Sequence, residues 1–222
     1  MNLNQTVTDR VYNQIKEAII DLENLEINFG QRVNIKKLSN YFNISQTPIR
    51  EALNLLIKDE LLVYKPRQGY YVVNLSYRDM EEIYDLRAII ECSGLRMGIE
   101  KGNIDKNVFS QLLEEAKRIQ KETNQRSSDY LSSNKDLHLN IVKSSSNSKL
   151  YNVYLSIYPF VIISRQLDPM RKRLLDEHIQ IIQLLLDNDL KAVEALRNHL
   201  NKGKESGLNT FKQKLERGNK NL

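Results

Sequence analysis

The sequence predicts a mainly α-helical chain in two parts: three helices closed by a small β-hairpin over residues 1–74, and an antiparallel six-helix bundle over residues 75–222. Three observations point there. Helix breakers are scarce, with 8 Gly and 4 Pro in 222 residues. Apolar residues recur every three or four positions through most of the chain, the period of a one-sided helix. That period lapses near residues 61–73, where β-branched and aromatic residues flank Pro66-Arg67-Gln68-Gly69. The length suits one or two domains, and 41% hydrophobic with 27% charged residues is too apolar for a disordered chain. Cys92 is the only cysteine, which excludes an internal disulfide and a cysteine-based zinc site. No run reaches the roughly 18 apolar residues of a membrane span, and Met1 to Asp9 is polar, without the apolar stretch of a secretory signal. A cytoplasmic chain with no membrane partner is therefore expected.

Val11, Ile15, Ile19 and Leu22 form the stripe of a first helix, with Thr8 and Asp9 as plausible caps. After a loop through Gly30, Arg32-Val33 reads as a short extended piece. Asn34 can cap a second helix carrying Ile35, Leu38 and Phe42 on one side. Ser45 or Thr47 then caps a third helix. Pro48 lies in its first turn, where a missing N–H costs little, and Ile49, Ala52, Leu53, Leu56 and Ile57 form its apolar stripe. Leu61 to Lys65 and Tyr70 to Val73 read as two strands joined at Pro66-Arg67-Gln68-Gly69. Three helices followed by a basic-tipped hairpin is the layout of a winged helix-turn-helix, in which the third helix presents its N-terminal end to a DNA groove. Charge agrees: residues 1–29 carry two basic and five acidic side chains, whereas residues 30–70 carry seven basic and three acidic.

Ser45-Gln46-Thr47-Pro48-Ile49-Arg50-Glu51-Ala52-Leu53 resembles the signature of the GntR-type bacterial transcription regulators, as do Gly30-Gln31-Arg32-Val33 and Pro66-Arg67-Gln68-Gly69. The resemblance implies operator contacts by Arg32, Ser45, Gln46, Thr47, Arg50 and Gly69. Lys65 and Arg67 on the hairpin are placed to meet the phosphate backbone or a minor groove. Gln46 stands where that family usually has Arg. Glutamine suits adenine N6/N7 where arginine suits guanine O6/N7, so the operator is expected to differ at that base pair. A helix cap at Thr47, or a surface pairing of Arg50 with Glu51 or Asn54, is the plain alternative.

From Ser76, which with Asp79 reads as a variant capping box, helices are expected at about 77–101, 105–122, 127–145, 148–165, 169–187 and 189–208. The basic stretch beyond is expected to be a helix end and frayed tail. The three histidines, His138, His178 and His199, fall on apolar stripes of three different helices. One such histidine is an ordinary core residue; three converging in a bundle core make a natural metal site.

Arg87 and Glu91, Asn134 and His138, Glu177-His178, and Asn198-His199-Leu200 resemble, in order, the pattern of the FCD ligand-binding domain of the FadR subfamily of GntR regulators. The helix count resembles that family's six-helix VanR-like branch. The resemblance implies a divalent metal, Zn or Ni by the chemistry of neutral imidazoles, held by Asn134, His138, His178 and His199. It also implies a small organic acid beside it. Arg87 is the candidate grip on the acid's carboxylate, with an exposed i, i+4 pair to Glu91 as the alternative. Arg165 is a weaker candidate, and Tyr130 and Tyr158 read as core packing. Three neutral imidazoles and a neutral amide would leave a divalent ion its full charge inside an apolar bundle, which is a reason to expect an anionic effector.

The function expected is a transcription regulator, a repressor in the commoner sense of that family. It would bind double-stranded operator DNA as a homodimer, because one recognition helix reads too few base pairs. A regulator that senses the metal itself is the alternative. A metal-dependent enzyme is the weaker one, since no His-Glu-x-x-His, phosphate loop or nucleophile elbow occurs.

Overall fold

The structure, a computed structural model, describes residues 6–21, 30–121, 137–165 and 171–219. The chain forms two compact units, Met1–Ser76 and Tyr77–Leu222.

In the first unit, α1 (Val7–Asp21) packs on α3 (Gln46–Lys58), as does α2 (Ile35–Phe42). Helix α1 begins one residue earlier than its expected caps. Thr6 and Asp9 form a reciprocal capping box: Thr6 N–H donates to Asp9 Oδ2 at 3.0 Å and Asp9 N–H to Thr6 Oγ1 at 3.1 Å. Sequence alone offers Thr8 and Asp9 as caps; the cap is Thr6, and Asp9 takes the other end of the box, which a carboxylate also fits. Asn34 caps α2, its Oδ1 accepting from Lys37 N–H at 3.0 Å, and Asn43 ends that helix in the left-handed region at φ 52°. Ser45 occupies the N-cap of α3, yet its hydroxyl makes no capping hydrogen bond. Thr47 is the second residue of α3 and not its cap.

Strands β1 (Leu62–Lys65) and β2 (Gly69–Val72) pair antiparallel with Leu62 opposite Val72 and Lys65 opposite Gly69. Gln68 N–H donates to Lys65 C=O at 3.0 Å across the turn. Pro66 and Arg67 are its two central residues, with Arg67 at φ 64°, the arrangement of a type II turn. Arg32 bridges Tyr71 as a one-residue third strand. Val11, Ile15, Ile19, Ile49, Leu53, Leu56, Leu61 and Leu62 fill the core, all close to fully buried.

The second unit holds α4 (Tyr77–Glu100), α5 (Lys106–Lys121), α6 (residues 137–144), α7 (Ser148–Arg165), α8 (Arg171–Leu186) and α9 (Lys191–Asn219). Asp105, Asn147 and Asp189 cap the starts of α5, α7 and α9 through their side-chain oxygens. Helix α4 packs on α7 and α9, α5 on α8, and α8 on α9, around Leu95, Phe109, Leu137, Ile141, Ile181, Leu185 and Leu196. The expected helix at 127–145 is described only from residue 137.

Helix α9 departs from expectation by continuing to Asn219 instead of ending near 208. Gly203 and Gly207 do not stop it because the Tyr84 ring lies against both; a Cβ on Gly207 would sit 3.0 Å from Tyr84 Oη. The basic residues beyond Leu208 extend the helix because none of them is a breaker. Helices α4 and α6 approach closely where Gly98 faces Ser144 and Gly94 faces Val142. No helix among the described residues is long and apolar enough to cross a membrane.

Candidate operator face and histidine site

In the first unit a cleft of about 380 Å³ is lined by Arg32, Val33, Asn34, Lys36, Arg50, Gly69 and Tyr70, among others. It brings together Arg32 from the bridge residue, Arg50 from α3 and Gly69 from the hairpin, all expected to contact DNA. The Arg32 guanidinium lies over Gly69, with Nε 3.5 Å from where a Cβ would stand, an ordinary contact; it is the φ of +103° that favours glycine there. Lys36, on the first turn of α2, adds a third cation, one of the seven basic residues of 30–70 but not one of the expected contacts.

Arg50 is exposed, and both of its suggested surface partners are bonded elsewhere. Glu51 accepts from Thr8 Oγ1 at 2.8 Å, and Asn54 Oδ1 from Tyr70 Oη at 3.0 Å. Ser45, Gln46 and Thr47 are exposed at the start of α3 but do not line the cleft. Lys65 and Arg67 are exposed on the hairpin, and Lys65 Nζ sits 4.4 Å from the Tyr71 ring centre. Positive charge, exposed short polar groups and a left-handed turn that projects Arg67 make this a surface suited to a polyanion.

The second unit brings the three histidines together. His138 on α6, His178 on α8 and His199 on α9 are buried, and each offers a ring nitrogen within 4.8 Å of the others. His178 Nε2 and His199 Nε2 are 3.2 Å apart. His138 Nδ1 bonds Glu91 Oε2 at 2.5 Å, and His199 Nδ1 bonds Glu177 Oε2 at 2.8 Å. Carboxylates on Nδ1 leave Nε2 of both rings as the available donor. Burial pushes His199 below the ordinary histidine range; Glu177 opposes this, and the nearby Arg87 charge adds to it. His199 is thus neutral near pH 7, the state that donates to a cation. Burial would raise Glu177, but His199 and Lys202 outweigh it and hold the carboxyl below its usual range.

Arg87 is 3% exposed, and its Nε donates to Glu91 Oε1 at 3.0 Å. The expected i, i+4 pair with Glu91 therefore exists but is buried, not exposed: the stripe of Met80, Ile83, Tyr84 and Ile90 turns this face inward. Burial would lower the arginine pKa, yet the Glu91 charge, with Tyr154 and Tyr84 adding to it, raises it. The Arg87 guanidinium also lies 5.3 Å from the Tyr84 ring centre.

The sequence reading placed no anion at this site, and the structure places two, Glu91 and Glu177, on the outer side of the imidazoles. Their signal was present in the Arg87/Glu91 and Glu177-His178 pairs, but spacing alone could not tell a solvent-facing carboxylate from one turned onto a ring. Asn134, the candidate fourth ligand, lies outside the described residues, as do Tyr130 and the side chain of Arg165. Tyr158 is half-buried and packs near Tyr154. Three imidazoles from three helices, two with carboxylates on Nδ1, fit a borderline-soft divalent ion.

Comparison with known proteins accounts for both units. Residues 7–72 match the gntR family of bacterial regulatory proteins, and residues 82–202 match the FCD domain. The chain is 29% identical over 216 residues to the uncharacterized HTH-type transcriptional regulator YdhC of Bacillus subtilis (strain 168), covering 95% of this chain and 93% of that protein. It is 30% identical over 179 residues to the gluconate operon transcriptional repressor of Bacillus licheniformis, covering 77% of this chain and 69% of that protein. Among solved structures, the zinc-bound FCD domain of TM0439 superposes with a TM-score of 0.56 at 17% identity, over 62% of this chain and 97% of that one. That likeness is one of fold. The chain belongs to the FCD-domain members of the GntR family, and it is a DNA-binding transcription regulator rather than an enzyme.

Proposed function

We propose that the protein binds operator DNA as a two-fold symmetric dimer and acts as a repressor released by a small carboxylate bound beside a divalent metal in the FCD domain. One observation carries this reading: three buried ring nitrogens lie within 4.8 Å of one another, two of them on imidazoles fixed by carboxylates. His138, His178 and His199 would hold the ion, zinc or nickel being the best matches to imidazole donors, with Asn134 as a neutral fourth ligand. The ion would supply a positive centre on which a carboxylate can sit. Repression, as in the Bacillus licheniformis relative's name, is the proposed sense of regulation.

On the operator face, Arg50 and Gln46 would read base edges, Thr47 and Ser45 would bond the backbone or a base, and Arg32, packed over Gly69, would reach a phosphate. Lys65 and Arg67 would bind phosphates without sequence preference.

The test is calorimetric titration of a panel of small carboxylates into metal-stripped and zinc-loaded protein, repeated on His178→Ala. Tighter carboxylate binding with zinc present, lost in His178→Ala, is the expected result. Equal affinity with and without zinc would refute the metal-bridged effector. A second reading, that the metal itself is the signal, is favoured by one feature: Arg87 is already paired with Glu91 and needs no ligand carboxylate. Operator affinity that changes with zinc alone, in the absence of any organic acid, would select it.

A further inference from the structure

We infer that Glu91 is the positioning residue that aims His138 at the histidine cluster and, through Tyr154, ties the state of that cluster to α7. The inference rests on the metal reading above and goes beyond it, since Glu91 and Tyr154 are not ligands in that reading.

Glu91 is fully buried on α4 and has donors from three helices. Its Oε2 bonds His138 Nδ1 of α6 at 2.5 Å. Its Oε1 accepts from Arg87 Nε of α4 at 3.0 Å and from Tyr154 Oη of α7 at 2.9 Å. A carboxylate can only accept, so the His138 Nδ1 carries the proton and the lone pair is placed at Nε2. The ring can then neither flip nor change tautomer without breaking a charge-assisted bond in a fully buried site.

A purely structural ion pair would be complete with Arg87 and one carboxylate oxygen. Here the second oxygen is spent on the imidazole, and the first is shared with a tyrosine that is itself fully buried. Glu177 serves His199 in the same way, but its side chain is 14% exposed and its other partner, Lys202, is 53% exposed. Glu177 is thus open to solvent, whereas Glu91 is fully enclosed. Tyr154 packs with Ile90 and Val142, neighbours of the same α4 and α6 segments. A ring that turns at His138 must therefore drag the Tyr154 hydroxyl or release it, and α7 registers the change.

The test uses the full-length protein and cobalt(II), whose d–d absorption reports the ligand field that zinc hides. Four proteins are compared: wild type, Tyr154→Phe, the paired variant Arg87→Met/Glu91→Gln and Glu177→Gln. The paired variant avoids leaving an uncompensated buried arginine. Read-outs are cobalt affinity by chelator competition, the cobalt spectrum, and amide hydrogen exchange of α7 with and without metal. Removing Glu91 should weaken cobalt binding about 10–100-fold and alter the spectrum, the usual scale for an outer-sphere partner. Glu177→Gln should lose less. Tyr154→Phe keeps every charge; it should bind cobalt with a near-wild-type spectrum yet lose the metal-induced protection of α7. If the paired variant fails to fold, Tyr154→Phe decides through that protection. Wild-type affinity, spectrum and α7 protection in Tyr154→Phe and the paired variant would overturn the inference. A wild-type protein that takes up no cobalt would remove the metal reading itself, and the inference with it.

Discussion

Gly98→Ala tests how far the protein's stability depends on the close approach of α4 to α6, the helices that carry Glu91 and His138. A Cβ at Gly98 would stand 2.3 Å from Ser144 Oγ, 2.9 Å from Ser144 Cβ and 3.1 Å from Ser144 O. The first clash can be relieved by rotating the hydroxyl, but that hydroxyl donates to Ile141 C=O at 2.7 Å and is buried. Losing a buried hydrogen bond costs about 1 kcal/mol, which cancels the roughly 1 kcal/mol that alanine gains over glycine in a helix. The other two contacts cannot be rotated away, so the helices must separate by several tenths of an ångström, an overpacking cost of about 1–3 kcal/mol. The net expectation is destabilisation by about 1–3 kcal/mol. Urea unfolding measures it as a fall in midpoint at constant slope. Gly203→Ala is the control: its Cβ would meet the Tyr84 ring at 3.5 Å, ordinary contact, so stability should rise by up to about 1 kcal/mol. Pairing Gly98→Ala with Ser144→Gly should show a favourable coupling of about 0.5–3 kcal/mol in a double-mutant cycle. A Gly98→Ala protein as stable as wild type, or more so, would refute the reasoning.

Three other expectations concern the first unit. Arg50→Ala should weaken a specific operator by about 1–3 kcal/mol in a mobility-shift titration at physiological salt, and unchanged affinity would count against a base contact. Lys65→Ala and Arg67→Ala should weaken all DNA sequences alike and reduce the slope of log affinity against log salt by about one each; altered sequence preference would contradict the phosphate role. Lys16 is held by Asp59 at 2.6 Å; burial lowers its pKa, but its bonds to Asp59 and Tyr12 outweigh this and raise it. A raised ammonium pKa means its stabilisation is full below the unfolded value and is lost as pH climbs through the folded one. Melting temperature should therefore fall more steeply above about pH 10.5 in wild type than in Lys16→Met, and parallel curves would discount the pair.

The fold was legible where local chemistry decides it. Asn34, Pro48, Asp189 and the Pro66–Gly69 turn each have one favourable backbone role, so their elements fell where expected. The end of α9 was not legible, since the tolerance of Gly203 and Gly207 comes from Tyr84, more than a hundred residues away in sequence. The candidate site divides in the same way. Histidine periodicity points inward because few other residues on those stripes are polar, and all three rings are buried together. Whether Arg87 and Glu91 face solvent or core depends on tertiary packing that an i, i+4 spacing does not encode. Lys36 is legible only as one cation of a basic stretch; that it stands beside Arg32 and Arg50 is set by the fold.

Charge around the imidazoles bears on what can occupy the second unit. The sequence reading expected an anionic effector because no protein anion was foreseen near the metal. Two carboxylates are in fact present, but each is already matched: Glu91 by Arg87 at 3.0 Å and Glu177 by Lys202 at 3.0 Å. Among the described residues these carboxylates are thus balanced by Arg87 and Lys202 before any ion enters, and a divalent cation would still add its full charge to a buried site. Solvent could offset that charge only through an open path, yet the three histidines are between 0% and 5% exposed. An uncompensated buried charge costs several kcal/mol. An organic acid bound beside the ion would supply negative charge and exclude water in the same step, whereas a bare metal signal needs an aqueous route to the cluster. Charge and burial among the described residues are thus the grounds for proposing a carboxylate effector over the metal alone. By the reciprocity of linked binding, whatever affinity the acid gains from the metal, the metal gains from the acid.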